Sequence, residues 1–453
     1  MKLVTPPLVV DPADSFKNDL LDRRAYGEAL LNLATRSSDA LVISLDGKWG
    51  EGKTTFVKMW QGLLAESGVP TIYIDAFSND YLDDPFIAVA SAITSYAEEN
   101  IKKEFTETVS ELKDRSMKVG GQLLSWSAKL AVKAATLGII KDADIEELND
   151  IRADLSKTAS DLVGGFIEDR IKEHAKDVEF TKSFKELLSR LPAQLGTNEE
   201  QPLVVIVDEL DRCKPTYAVE LIEKIKHIFS VENVVFLLVL NMEQLEEAIR
   251  CVYGQRIDAH TYLQKFVNIE AKLPKRTDDR YPSDLSAYAQ KLLQLHQLET
   301  WGDNRNIVDC LAPLAHHFNL SLRQLEKVFT NLAVFYASIS QNELRLVPVV
   351  VFLAVIKVVD PSIFHALLHQ KLSFSGLIEK LDMHSLDDDR DSTRKLSWLM
   401  QWIRYGLLTE QEFSQLAEDD EIRRFSQSLF QYSFHRDRLV SIAARQLSMF
   451  SVR

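Results

Sequence analysis

Two short stretches hold the residues best suited to chemistry. "LDGKWGEGKTTF" (residues 45–56) fits the pattern G-x-x-x-x-G-K-[ST], with Gly47, Gly52, Lys53 and Thr54 at its specified positions. A backbone wraps tightly around a phosphate only where Cβ atoms are missing, and its N–H groups then point inward. Lys53 is expected to meet the β- and γ-phosphates of a nucleoside triphosphate. The Thr54 hydroxyl is a hard oxygen ligand suited to Mg²⁺. Lys48, Trp49, Gly50, Glu51 and Thr55 fill out the candidate nucleotide-binding loop. In "PLVVIVDELDRCKP" (202–215), a run of aliphatics ends at Asp208 and Glu209. The first carboxylate suits the metal, usually held through water. The second suits a general base that polarises the attacking water.

Such groups work only if secondary structure delivers them. "ALVISLD" (40–46) reads as a buried strand and "TTFVKMWQGLLAES" (54–67) as a helix, so the glycine-rich loop sits where aligned peptide dipoles attract an anion. Further strands are expected within 68–77, 203–209, 233–241 and 265–274, with helices such as 215–229 between them. Strands alternating with helices, and apolar runs without alternation, predict a parallel sheet covered on both faces. From about 85 to 195 the pattern is helical, and after about 276 no strand is expected. The resulting division is an N-terminal helix (1–39), an α/β domain (40–275) interrupted by a helical insertion (about 85–195), a helical lid (276–340) and a C-terminal helical region (341–453).

The 453 residues are 46% hydrophobic and 26% charged, a composition that supports large cores. A net charge of −14 disfavours a surface that coats nucleic acid. Cys213, Cys251 and Cys310 form no C-x-x-C pair, which fits a reducing cytoplasm and no disulfide framework. His260, His316 and His317 lack metal-ligand spacing. The start of the chain does not read as a signal peptide. The 121–140 stretch is long enough for a membrane span, but Lys129 and Lys133 would each cost about 3 kcal/mol at mid-bilayer. It is expected to be an amphipathic helix, and the apolar run 346–356, which is too short to span, a buried one.

"GKWGEGKTT" with "VVIVDELDRCKP", followed by "VVFLLVLNMEQL" and "YLQKF…LP", resembles the KAP family of P-loop NTPases. Trp49 and the D-E-L-D-R-C run carry the resemblance most specifically, and "DLLDRRAYGEAL" resembles the family's leading helix. The resemblance covers about residues 18–330. It implies an additional-strand type of P-loop sheet with a helical insertion, and about 155 residues separate Lys53 from Asp208. It also implies Mg²⁺-dependent ATP hydrolysis in a switch or assembly protein, with phage defence as a setting known in the family. The alternative is an ATPase motor or loader on nucleic acid. Many relatives carry membrane helices in the insertion, where this chain has the lysine-bearing stretch. Where the fourth strand commonly ends in Asp, this chain has Asn241, which is expected either to orient water or to cap the strand end. Arg323 is the expected arginine if the site is closed in cis, whereas Arg256 or Arg276 is the arginine expected to reach the γ-phosphate of a neighbouring copy on ATP-promoted self-association; Arg212 is a further candidate. The expected partners are a nucleotide and either further copies of the chain or another protein.

Overall fold

The computed structural model describes residues 1–6, 9–11, 14–37, 39–82, 84–101, 106–117, 179, 181–195, 201–275, 284–343, 345–383, 391–429 and 436–450. Five strands, β1 (Leu41–Asp46), β2 (Thr71–Asp75), β3 (Leu203–Asp208), β4 (Val234–Leu240) and β5 (Ile269–Lys272), form one parallel sheet in the order β2-β3-β4-β1-β5. All seven residues of β4 and all six of β3 are buried, whereas the edge strands β2 and β5 alternate between more and less buried positions. Central strands covered on both faces have no solvent side to alternate toward.

Strand order matters more than strand count. β4 stands between β1, which feeds the glycine-rich loop, and β3, which carries the acids. Strands lie about 4.8 Å apart, so the two motifs start roughly 10 Å from each other. The register brings Asp46 level with Leu240, and Asp208 level with both Val239 and Asp75. The carboxyl ends of the strands therefore share one edge, where ligands of open α/β sheets bind. This is the additional-strand arrangement expected for the chain.

Helices α1 (Arg24–Thr35) and α2 (Lys53–Glu66) share an apolar cluster with one face of the sheet, centred on Phe56 and Trp60. On the other face lie α3 (Pro85–Asn100), α4 (Pro215–Lys224) and α5 (Met242–Tyr253). Helix α3 lies at the start of the span expected as a helical insertion (about 85–195) and packs into the sheet's core. A parallel β2-to-β3 connection must cross one face, and Phe86, Val89 and Ile93 of α3 pack there with Phe184, Leu188 and Leu191. The 121–140 stretch lies outside the described residues. No helix among the described residues is long and apolar enough to cross a membrane.

The rest is helical, including α6 (Asp284–His296), α7 (Asn304–His317), α8 (Leu322–Ser338), α9 (Val347–Val359) and α10 (Leu439–Ser448). A single apolar cluster runs from Ala289 to Leu447. The expected division at residue 340 falls inside this core. The cause is α9, whose residues Val347–Ile356 are all buried, so helices from both sides of the boundary must surround it.

His296 is wholly buried at the end of α6 and ties down the N-terminal segment. Its Nδ1 lies 2.8 Å from the Lys2 carbonyl and its Nε2 3.0 Å from the Thr5 hydroxyl. These partners fit a neutral ring, with Nδ1–H donating and Nε2 accepting. Burial pulls the imidazole below its ordinary 6.5. The unfolded chain then gains a proton that the folded chain refuses, so this group's contribution is full above pH 6.5 and is lost as pH falls below it. His296→Gln is expected to flatten the loss of stability between pH 7.5 and 5.5, removing at most about 1.4 kcal/mol per pH unit. Tm measured against pH for parent and variant checks this.

Candidate nucleotide site

The loop between β1 and α2 is shaped by two backbone positions. Gly50 and Gly52 have φ of +83° and +81°, a region costly for any residue with a Cβ. Gly47 extends the ladder instead, its N–H donating to the Leu240 carbonyl at 3.2 Å. Gly52 starts α2, and no side chain caps its first turn. First-turn N–H groups without a side-chain partner form an anion site.

Lys53, almost buried, donates from Nζ to the carbonyls of Gly47 and, at 3.3 Å, Lys48. Burial lowers its pKa, against the pull of Asp211 and Asp208. Asp208 is buried at the end of β3, and burial pushes its carboxyl up. Three donors oppose that effect: the Thr54 hydroxyl, the Tyr73 hydroxyl at 2.9 Å and the Glu209 N–H at 2.8 Å. Glu209 follows with a left-handed backbone, φ +60°, and its carboxylate pairs with Arg212 at 2.8 Å. Burial raises the Glu209 pKa, and Arg212 counters it. The Trp49 indole N–H donates to Asp211, joining the glycine-rich loop to the acidic motif.

The helical region closes the cleft from the side. Ser321 and Gln324 form a capping box that starts α8. The cap leaves the N–H of Arg323 free for another acceptor, and it donates to the Gly50 carbonyl at 3.1 Å. The resulting cleft is lined by Lys48, Trp49, Gly50, Gly52, Lys53, Thr54 and Thr55 of the loop. Asp208, Glu209, Asp211, Arg212 and Arg323 complete it.

Thus the fold brings Lys53, Thr54, Asp208, Glu209 and Arg323 together. Glu51 is held away from the lining: its carboxylate pairs with Lys275 and accepts the Lys48 N–H at 3.0 Å. Asn241 is also outside the lining. Its side-chain oxygen caps α5 by accepting the Glu243 N–H at 3.1 Å. Arg256 is exposed and outside the lining, and Arg276 lies outside the described residues. Sequence reasoning gave no role to Arg23, Tyr73 or Lys275. Their partners lie elsewhere in the chain, and only Arg23 carried a signal, through its place in "DLLDRRAYGEAL".

The groups a P-loop implies fit this site. A Cβ could not be added at Gly50 without meeting Arg323 Cβ at 2.6 Å, so the approach of α8 to the loop depends on glycine there, and the positive φ at Gly50 and Gly52 sets the loop's turn. The Thr54 hydroxyl and Asp208 carboxylate are the hard oxygens that Mg²⁺ accepts alongside phosphate and water.

The family model for the KAP family P-loop domain matches residues 23–339, from Arg23 to just past α8. An uncharacterised protein of Methanocaldococcus jannaschii, MJ0182, is 28% identical over 139 residues, which are 30% of this chain and 71% of that one. Among solved structures, the ORC2 protein of Aeropyrum pernix in ADPNP–ADP complexes aligns over 94% of each chain. That alignment has 16% identity and a TM-score of 0.37, a likeness too loose to bear on function.

Gly50→Ala tests the docking of α8 on the loop. A left-handed backbone alone costs an L-residue about 1–2 kcal/mol, and the Arg323 contact adds to it. The urea midpoint is expected to fall accordingly, with faster proteolysis between the sheet domain and α8. An unchanged midpoint and cleavage pattern would show that the approach is not tight.

Proposed function

The chain belongs to the KAP family of P-loop domains, and from that premise we propose that it binds ATP with Mg²⁺ and hydrolyses it. The observation that carries this reading is the convergence of Lys53, Thr54, Asp208 and Glu209 beside the uncapped start of α2. The loop amides and Lys53 hold the phosphates, and Thr54 with Asp208 would hold Mg²⁺. When bound, the metal supplies neutralisation of charge developing on the phosphates. Glu209 orients and deprotonates water once its carboxylate leaves Arg212, and its raised pKa favours proton uptake. Arg323 lines the same cleft from the helical region and supplies a cation to the γ-phosphate.

Because Arg323 belongs to the helical region, hydrolysis changes what holds that region against the sheet. This supports a nucleotide-controlled switch or assembly protein, acting through self-association or a protein partner. Phage defence is the setting we propose from family analogy alone. Comparing plaque formation on cells with the parent or the Lys53→Ala chain tests it.

Lys53→Ala removes a charge-assisted contact worth about 1.5–3 kcal/mol, so ATP affinity is expected to fall roughly ten- to a hundredfold by calorimetry. Tight binding in the folded variant would overturn the loop assignment. Glu209→Gln keeps shape and loses the base. It is expected to bind ATP as the parent does and to turn over about 10²- to 10⁴-fold more slowly in a phosphate-release assay. Parental turnover would move the base elsewhere, with Asp211 next.

A further inference from the structure

Arg23 is 4% exposed and stands at the N-cap of α1, behind the glycine-rich loop rather than in the cleft. Its backbone is anchored at both ends: its N–H donates to the Asp19 carboxylate and its carbonyl accepts the Gly27 N–H at 2.9 Å. From this fixed point the guanidinium reaches two segments far apart in sequence. Nη1 donates to the Glu51 carbonyl at 3.2 Å, and Nη2 to the Pro274 carbonyl at 3.3 Å. Glu51 belongs to the glycine-rich loop, and Pro274 lies two residues past the end of β5. Asp284, the first residue of α6, is close enough for its charge to act on Arg23. The same junction holds the Glu51–Lys275 ion pair.

A guanidinium is a rigid plane, so two acceptors bonded to its two terminal nitrogens cannot move independently. Charge-assisted bonds in a buried setting are also stronger than those at the surface. The geometry points to Arg23 as the positioning residue that couples the glycine-rich loop to the helical region, by holding Glu51 and Pro274 on one plane. Phosphate binding to the loop amides shifts the Glu51 carbonyl, and Arg23 carries that shift to Pro274 and to α6. The Arg323–Gly50 contact is a second tie between the loop and the helical region. This inference rests on the proposed function, since it needs a nucleotide at the loop.

Hydrogen exchange reads the coupling directly. A non-hydrolysable ATP analogue with Mg²⁺ is added at saturation, as set by calorimetry on each variant. In the parent chain, amides of α6 are expected to gain about tenfold or more in protection. In Arg23→Met, which keeps the apolar stem, the gain at saturation is expected to fall below about threefold, with weaker affinity. Arg23→Lys reaches only one carbonyl and is expected to fall between the two. A residue that merely stabilised the fold would lower protection with and without nucleotide alike, leaving the gain unchanged. Parental gain in either variant at saturation overturns the inference while the proposed function stands. If Arg23→Met does not fold, Arg23→Lys decides by the same criterion. Failure of the parent to bind the analogue overturns the proposed function and this inference with it.

Discussion

Backbone amides attract an anion only if nothing in the protein satisfies them first. Asp84, Asn241 and Ser321 cap the starts of α3, α5 and α8. Helix α2 begins at Gly52 without such a partner. The loop before it turns through left-handed backbone at Gly50 and Gly52, where an L side chain would be strained. Because these positions lack Cβ atoms, the start of α8 can approach within contact of the loop. The turn of the loop and the docking of the helical region thus meet at the same two glycines.

The acidic half of the site shows the opposite economy. Asp208 sits where burial disfavours its charge, and Tyr73, Thr54 and the next peptide N–H are spent on keeping it ionised. Tyr73 comes from β2, the strand paired with β3, so the sheet register itself delivers the donor. The carboxylate is oriented before any cation arrives, which limits the ordering left to binding. Glu209 has a different restraint, a left-handed backbone together with an ion pair to Arg212 that is open to solvent. Partly exposed pairs of this kind are worth little and exchange easily. Asp208 is therefore firmly held, and Glu209 loosely held.

Much of this was legible in the sequence where the signal is local. The strands announced themselves as aliphatic runs, since full burial on both faces removes the need for polar positions. Gly47 to Thr55 and Asp208–Glu209 are each contiguous, so their spacing survives in one dimension. Residues that meet through the sheet order were not legible in that way. Tyr73 reaches Asp208 across 135 positions and Trp49 reaches Asp211 across 162. Asn241 shows a second limit: an asparagine between a strand and a helix suits either water or a helix cap, and only the direction of its oxygen decides. Helical periodicity likewise marks an apolar face without saying which helix will cover it. This is why the boundary at 340 ran through a continuous core.

That shared core gives the helical region mechanical consequences. Interiors packed like molecular crystals transmit displacement rather than absorb it. Helices α6 to α10 share one apolar cluster, and α8 meets the loop at Gly50, so a displacement delivered to α8 there is passed to the helices packed around it. Helix α10, although more than a hundred residues further along the chain, belongs to the same cluster as α8 and so takes part in that transmission. A surface of the helical region remote in sequence from the glycine-rich loop is thus mechanically continuous with it through α8.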